Sequence, residues 1–212
     1  MKVLSLPVGM IQTNCYLVEG ENQIAAVIDP GAQGGKILAL AEENGLDIRY
    51  ILLTHGHFDH VCAANEIRKA TGAHVIIGEK DAPMLSSPMT KSGLQVPGYN
   101  DDPVVPDRMV KGGDLLEIGG FRLHVLETPG HTPGGVVYQT DGVLFTGDTL
   151  FQGGIGRTDL PGGDHAAILK SLQKLSALGG DFIVYPGHGL STTLGHERGA
   201  NPFMGDYYDF ID

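Results

Sequence analysis

The segment Thr54-His55-Gly56-His57-Phe58-Asp59-His60 puts three imidazoles and a carboxylate within six consecutive positions, directly after the apolar run Tyr50-Ile51-Leu52-Leu53. In extended chain, residues two apart point the same way, so His55 and His57 can converge on one ion. Asp59 and His60 follow where the chain turns into a helix, aimed at a second point nearby. Each has a plainer role open to it: Asp59 as a helix cap, His60 as a first-turn surface residue. Three more ligand types stand at strand ends downstream, each beside glycine: His131 after Gly130, Asp148 after Gly147 and His188 after Gly187. Glycine lets backbone bend sharply, so such side chains can crowd a small ion. Five imidazoles and two carboxylates without a thiolate suit Zn²⁺ or Fe, and Mn²⁺ less well. The absence of cysteine from the set argues against a closed structural zinc site.

These residues need elements to hold them. Alternating or continuous apolar runs predict strands over Lys2–Val8, Cys15–Glu19, Ile24–Asp29, Tyr50–Thr54, His74–Gly78, Asp114–Ile118, Phe121–Glu127, Val136–Thr140, Val143–Thr146 and Phe182–Pro186. Gly119-Gly120 and Asp141-Gly142 have the chemistry of two-residue hairpin turns. Helices are predicted over Gly35–Asn44, Val61–Ala70, a short piece near Glu79–Leu85, and His165–Leu178, the last capped by Asp164 and stopped by Gly179-Gly180. Strands outnumber helices, and helices fall between groups of strands, which argues for two packed sheets with helices outside. Each half carries strands, a helix and histidine-bearing turns, without a repeat in sequence. Pro83 to Arg108, with five prolines and little periodicity, reads as a mobile flap over a cleft, with Tyr99 as a candidate lid residue.

The 212 residues suit a single domain over 1–212. A formal net charge of −11 argues against a nucleic-acid partner. No apolar stretch approaches 18 residues, so no membrane partner is expected. The start of the chain, broken by Pro7, Gly9 and Gln12-Thr13-Asn14, reads as a first strand rather than an export signal. Cys15 and Cys62 cannot build a disulfide framework and read as small buried hydrophobes, which fits a reducing cytoplasm. Asp29 ends a strand in Val27-Ile28-Asp29-Pro30-Gly31 and could orient a ligand histidine. Arg157 could clamp a substrate carboxylate or pair with Asp159. His165 reads as a helix-start residue, and His74, His124 and His196 as structural.

The ordered set H-x-H-x-D-H, Gly130-His131, Gly147-Asp148, Gly187-His188 resembles the signature of the metallo-β-lactamase superfamily, and the likeness runs from Ile28-Asp29-Pro30-Gly31 to Pro186-Gly187-His188-Gly189. That resemblance implies an αβ/βα sandwich of two mixed β-sheets with helices on the outer faces and a metal cleft at one edge. It assigns one metal to His55, His57 and His131, a second to Asp59, His60 and His188, and a bridging place to Asp148. Two divalent ions per chain are implied, zinc first, with iron or manganese as alternatives, and Asp59 and Asp148 carry the catalytic roles. Within the superfamily, Asp148 and the stretch from Gly147 through Arg157 to Asp159 resemble the glyoxalase II group. A thioesterase is implied, cleaving S-2-hydroxyacylglutathione or a related small thioester through a metal-bridging hydroxide. A thiolate leaves without an obligatory proton donor, which suits the site better than an amide. The Gly156-Arg157-Thr158-Asp159 stretch also resembles persulfide dioxygenases, whose single iron would sit on His55, His131 and Asp148, and a lactonase-type hydrolase is a third reading. Full-length glyoxalase II carries a C-terminal helical region for glutathione and a tyrosine soon after the last metal histidine. Here 24 residues with an acidic end follow His188, and Gly189-Leu190 stand in the tyrosine's place. The expectation is therefore a weak hold on glutathione, with Arg157 the one nominated cation.

Overall fold

Period-two burial builds the molecule. In the computed structural model, which describes residues 1–205, β2 (Thr13–Glu19) turns Cys15 and Leu17 to one face and Tyr16 and Val18 to the other, all buried. β3 (Ile24–Ile28) does the same with Ala25 and Val27 against Ala26 and Ile28. A strand apolar on both faces must be covered on both sides. With β1 (Lys2–Val8), β4 (Asp47–Leu53), β5 (His74–Gly78) and β6 (Arg108–Val110) these strands form a sheet ordered β1-β2-β3-β4-β5-β6. The second sheet runs β12-β11-β10-β9-β8-β7, from β7 (Leu115–Ile118), β8 (Phe121–Glu127), β9 (Val136–Thr140), β10 (Val143–Gly147), β11 (Ile183–Pro186) and β12 (Thr192–Thr193). Both sheets are mixed. β3 to β6 pair in parallel, as do β10 and β11, and the remaining pairs are antiparallel.

Parallel neighbours need crossovers, and helices supply them. α1 (Gly34–Glu43) links β3 to β4; α2 (Phe58–Val61) and α3 (Ala64–Thr71) link β4 to β5; α5 (His165–Ser176) links β10 to β11. α1 and α3 put Ile37, Ala41, Ala64 and Ile67 on the outer face of the first sheet. α5 and α6 (Leu194–Ala200) put Leu172, Leu175 and Leu194 on the outer face of the second. Between the sheets lies a middle core around Tyr138, Phe145, Tyr16 and Leu52. The architecture is the expected αβ/βα sandwich.

The sequence expectations for β1, β5, β8 and β9 match residue for residue. Gly119 and Gly120 both take positive φ, 49° and 82°, in the tight turn that pairs Ile118 with Phe121. Asp164 accepts a hydrogen bond from Ala167 N and caps α5 as expected. Four expectations need correction. The helix expected over Val61–Ala70 is two pieces, because Ala63 N donates to the Pro30 carbonyl instead of continuing the first. The piece near Glu79–Leu85 is a 3-10 turn over Ala82–Ser86. Cys62 is only half-buried, its thiol donating to the Asn100 carbonyl. The segment from Pro83 to Arg108 is not structureless: it holds α4 (Pro88–Lys91), Asp101 accepts from Met89 N and Thr90 Oγ1, and Val104 N donates to the Leu85 carbonyl. β6, β12 and α6 were unforeseen. Residues 206–212, with the acidic end and the last part of the expected 1–212 domain, lie outside the described residues. No helix among the described residues is long and apolar enough to cross a membrane.

Candidate metal centre

Every predicted ligand arrives at the same edge of the two sheets. β4 ends at Leu53, and its continuation carries His55 and His57; Asp59 and His60 lie in α2. His131 follows β8, Asp148 follows β10 and His188 follows β11. Donor atoms of His55, His57 and His131 lie within 4.8 Å of one another, and so do those of Asp59, His60 and His188. Asp148 sits between the groups, 3.4 Å from His60 Nε2, 3.5 Å from His131 Nε2 and 3.6 Å from His188 Nε2. His57 Nδ1 lies 2.8 Å from His131 Nε2. His74, His124, His165 and His196 stand exposed on the surface and join neither group.

The proton positions follow from the partners. His60 Nδ1 faces the Asp29 carboxylate at 2.9 Å, and His131 Nδ1 faces the Arg157 carbonyl at 2.7 Å. Thr54 gives its hydroxyl hydrogen to Asp29 at 2.6 Å, so its remaining lone pair takes the hydrogen of His55 Nδ1 at 3.1 Å. A ring that holds its single proton on Nδ1 offers Nε2 as a lone pair, the form in which imidazole binds a metal. The Nε2 atoms of His55 and His60, with His57 Nε2 and Asp148 Oδ1, are buried without a hydrogen-bond partner. Unsatisfied buried groups are costly, and clustered lone pairs are what a cation relieves. The donor set, imidazole and carboxylate without thiolate, fits divalent zinc or iron.

The two pockets differ in charge. Burial, then His131, push His57 down to about 3, and burial with the neighbouring rings pushes His55 well down too. His55 and His57 therefore stay neutral. Burial also opposes charge on His60, but Asp59, Asp148 and Asp29 outweigh it and lift the ring to about 10. Burial works against an ionised Asp59, yet His60, His188 and the Thr13 hydroxyl hold it below the usual carboxylate range. Without an ion, this second pocket keeps protons that a metal must displace.

Several supports were invisible in sequence. Buried Asp81 accepts from Gly56 N at 3.0 Å and Gly134 N at 2.6 Å, tying the His55–His60 loop to the His131 loop. Across the sheets, Asn14 Nδ2 donates to the carbonyls of Pro186 and Gly189, Asn14 N to Gly187, and the Tyr16 hydroxyl to Pro186. Thr54 adjoins the histidine motif and could have been found there; Asp81, 25 residues from Gly56, offers no such signal. Asp29, nominated in sequence, takes φ 51° and holds both Thr54 and His60. Arg157 pairs with Asp159 through two 2.6 Å bonds. The metal groups open into a cleft of about 430 Å³ whose wall includes Ile11, Leu94, Phe151, Ile155, Leu160 and Arg157.

Residues 8–188 match the family described as the metallo-beta-lactamase superfamily. The chain is 40% identical over 208 residues to hydroxyacylglutathione hydrolase GloC of Haemophilus influenzae, covering 96% of this chain and 98% of that one. Among solved structures it resembles the B3 metallo-beta-lactamase BLEG-1, with a TM-score of 0.89, 37% identity and coverage of 96% and 99% of the two chains. TTHA1623 in a di-iron-bound form gives a TM-score of 0.82 at 39% identity, covering 94% of this chain and 99% of that one. With its ligand-bearing strand ends, its two six-stranded sheets and these matches along nearly its whole length, the chain belongs to the metallo-beta-lactamase superfamily, as a metal-dependent hydrolase.

Proposed function

We propose that the chain is a binuclear thioester hydrolase of glyoxalase II type, working as one domain on S-2-hydroxyacylglutathione or a related small thioester. The observation that carries this reading is the meeting of two ligand groups around Asp148 on an open cleft. His55, His57 and His131 would hold one ion and Asp59, His60 and His188 the other, with Asp148 shared. When bound, such ions polarise a carbonyl oxygen and lower the pKa of a water to roughly 7. The chain's own part is to fix the donors: Asp29, Thr54 and the Arg157 carbonyl keep the ring protons on Nδ1. Thr13 donates to Asp59, which stays anionic.

Hydrolysis adds water across the acyl C–S bond and yields a carboxylic acid and a thiol. The sulfur leaves as thiolate, so no residue has to protonate it. An amide nitrogen would need such a donor, and beyond the ligand groups the one charged residue lining the cleft is Arg157. The likeness to a protein named hydroxyacylglutathione hydrolase supports the thioester reading. Zinc is the proposed metal and iron the second choice, given the di-iron form of TTHA1623.

The test is steady-state hydrolysis of S-D-lactoylglutathione on protein whose metals are quantified. Close to two ions per chain are expected, with thioester turnover lost on chelation and restored by metal. One ion per chain, with oxygen uptake on glutathione persulfide and no thioester turnover, would replace this reading with the mononuclear iron dioxygenase. Hydrolysis of β-lactams alone would replace it with a lactamase.

A further inference from the structure

We propose that Ile11, Leu94, Phe151, Ile155 and Leu160 form a subsite for an apolar acyl chain, so that the cleft takes neutral, apolar acyl thioesters in preference to glutathione esters. The proposal rests on the thioester reading for its chemistry, though not for its binding. Three separate stretches of chain bring these residues to one wall: the turn between β1 and β2, the segment after α4, and the loop after β10. Ile11 is 38% exposed, and Leu94, Phe151, Ile155 and Leu160 are each half-buried, so the wall keeps apolar surface facing the cleft. Concentrated apolar surface beside polar groups is the usual mark of a ligand groove.

Charge points the same way. A glutathione ester brings two carboxylates, and Arg157 is the one cation lining this cleft among the described residues. Its guanidinium is already engaged: Nε and Nη2 each bond Asp159 at 2.6 Å. That bond, with the positive charge behind it, holds Asp159 down at about 2, so the partner stays ionised at any ordinary pH. A chain of formal net charge −11 adds long-range repulsion toward a tail whose two carboxylates outnumber its one ammonium. A neutral alkyl chain meets none of these obstacles.

The experiment measures binding and turnover separately on the metal-loaded protein. Calorimetry with non-hydrolysable S-methyl, S-butyl and S-hexyl N-acetylcysteamine should show affinity rising up to about fourfold per methylene, and Ile11→Ser should flatten the rise. In turnover, hexanoyl-N-acetylcysteamine should exceed S-D-lactoylglutathione in kcat/KM. Asp159→Asn, which frees Arg157 at an exposed position, should shift the ratio toward the glutathione ester. Affinity independent of alkyl length, or preference of the native protein for lactoylglutathione, overturns the subsite even if thioesters are cleaved. A rising affinity without turnover of any thioester upholds the subsite and removes the thioesterase reading instead.

Discussion

The two halves of the sandwich deliver ligands by different means. The first sheet delivers four from one loop, and side chains brace them: Asp29 holds His60, the Thr54 hydroxyl holds His55, and Thr13 holds Asp59. The second sheet delivers one ligand per strand end, and backbone does the bracing: the Arg157 carbonyl holds His131, and Gly187 N donates to the Gly147 carbonyl beside Asp148. A compact motif can be steadied by a few nearby polar side chains. Ligands scattered over 57 positions, from His131 to His188, depend on glycines that let strand ends crowd together. The first half should thus be sensitive to loss of polar atoms and the second to gain of carbon.

Asp148→Ala breaks both halves at once, because its carboxylate lies near rings from each. It should lower kcat/KM by at least about a hundredfold, whereas His165→Ala, at an exposed helix start, should change it less than about twofold. Equal losses, with circular dichroism intact, would give His165 a part in catalysis. Gly187→Ala comes next. A Cβ there would strike Asp148 Oδ1 and lie 2.8 Å from His60 Cε1, so metal content should drop and stability fall by about 1–3 kcal/mol. Gly199→Ala, with open space around it in α6, should instead gain about 0.5–1 kcal/mol. Full metal content in Gly187→Ala would dissolve the contrast between the halves.

Asp29→Asn should weaken metal affinity by about 10–100-fold, measured by competition with a chelator. Arg157→Ala should leave it within about twofold, because the carbonyl and not the guanidinium holds His131. Matching effects would mean the bracing is shared. A further contrast is expected in the metal-free protein. Between His57's value of about 3 and the ordinary imidazole value of 6.5, the unfolded chain binds more protons, so stability climbs with pH. Between 6.5 and His60's value of about 10 the folded chain binds more, so that contribution is lost as pH rises. Denaturant midpoints should therefore peak near pH 6.5, and a profile flat from pH 4 to 9 would contradict this division of charge between the pockets.

The histidine motif could be read because four of its members are neighbours in sequence, and period two turns spacing into direction. β8 could be read because its faces alternate, β9 because it is a short apolar run, and α5 because its buried positions recur at helical spacing, while their ends carry Gly119-Gly120, Asp141-Gly142 and Asp164. The break between α2 and α3 could not. It depends on the Pro30 carbonyl, and on Gly31 fitting against the Asp59 carbonyl, two contacts with a distant turn. β6 and β12 are three and two residues long, too short for any period to show. Asp81 and the apolar wall from Ile11 to Leu160 acquire their roles only when remote segments meet.

The bonds from Asn14 and Tyr16 to Pro186 join positions 172 and 170 residues apart. Such closures are slow to form, since the chain must lose the freedom of nearly its whole length before they return anything. On a ribosome the histidine loop emerges more than 120 residues before His188, and it waits without its last partner. Tight capture of metal is thereby tied to arrival of β11 and the turn after it, and a truncated or misdocked chain presents an incomplete set of ligands.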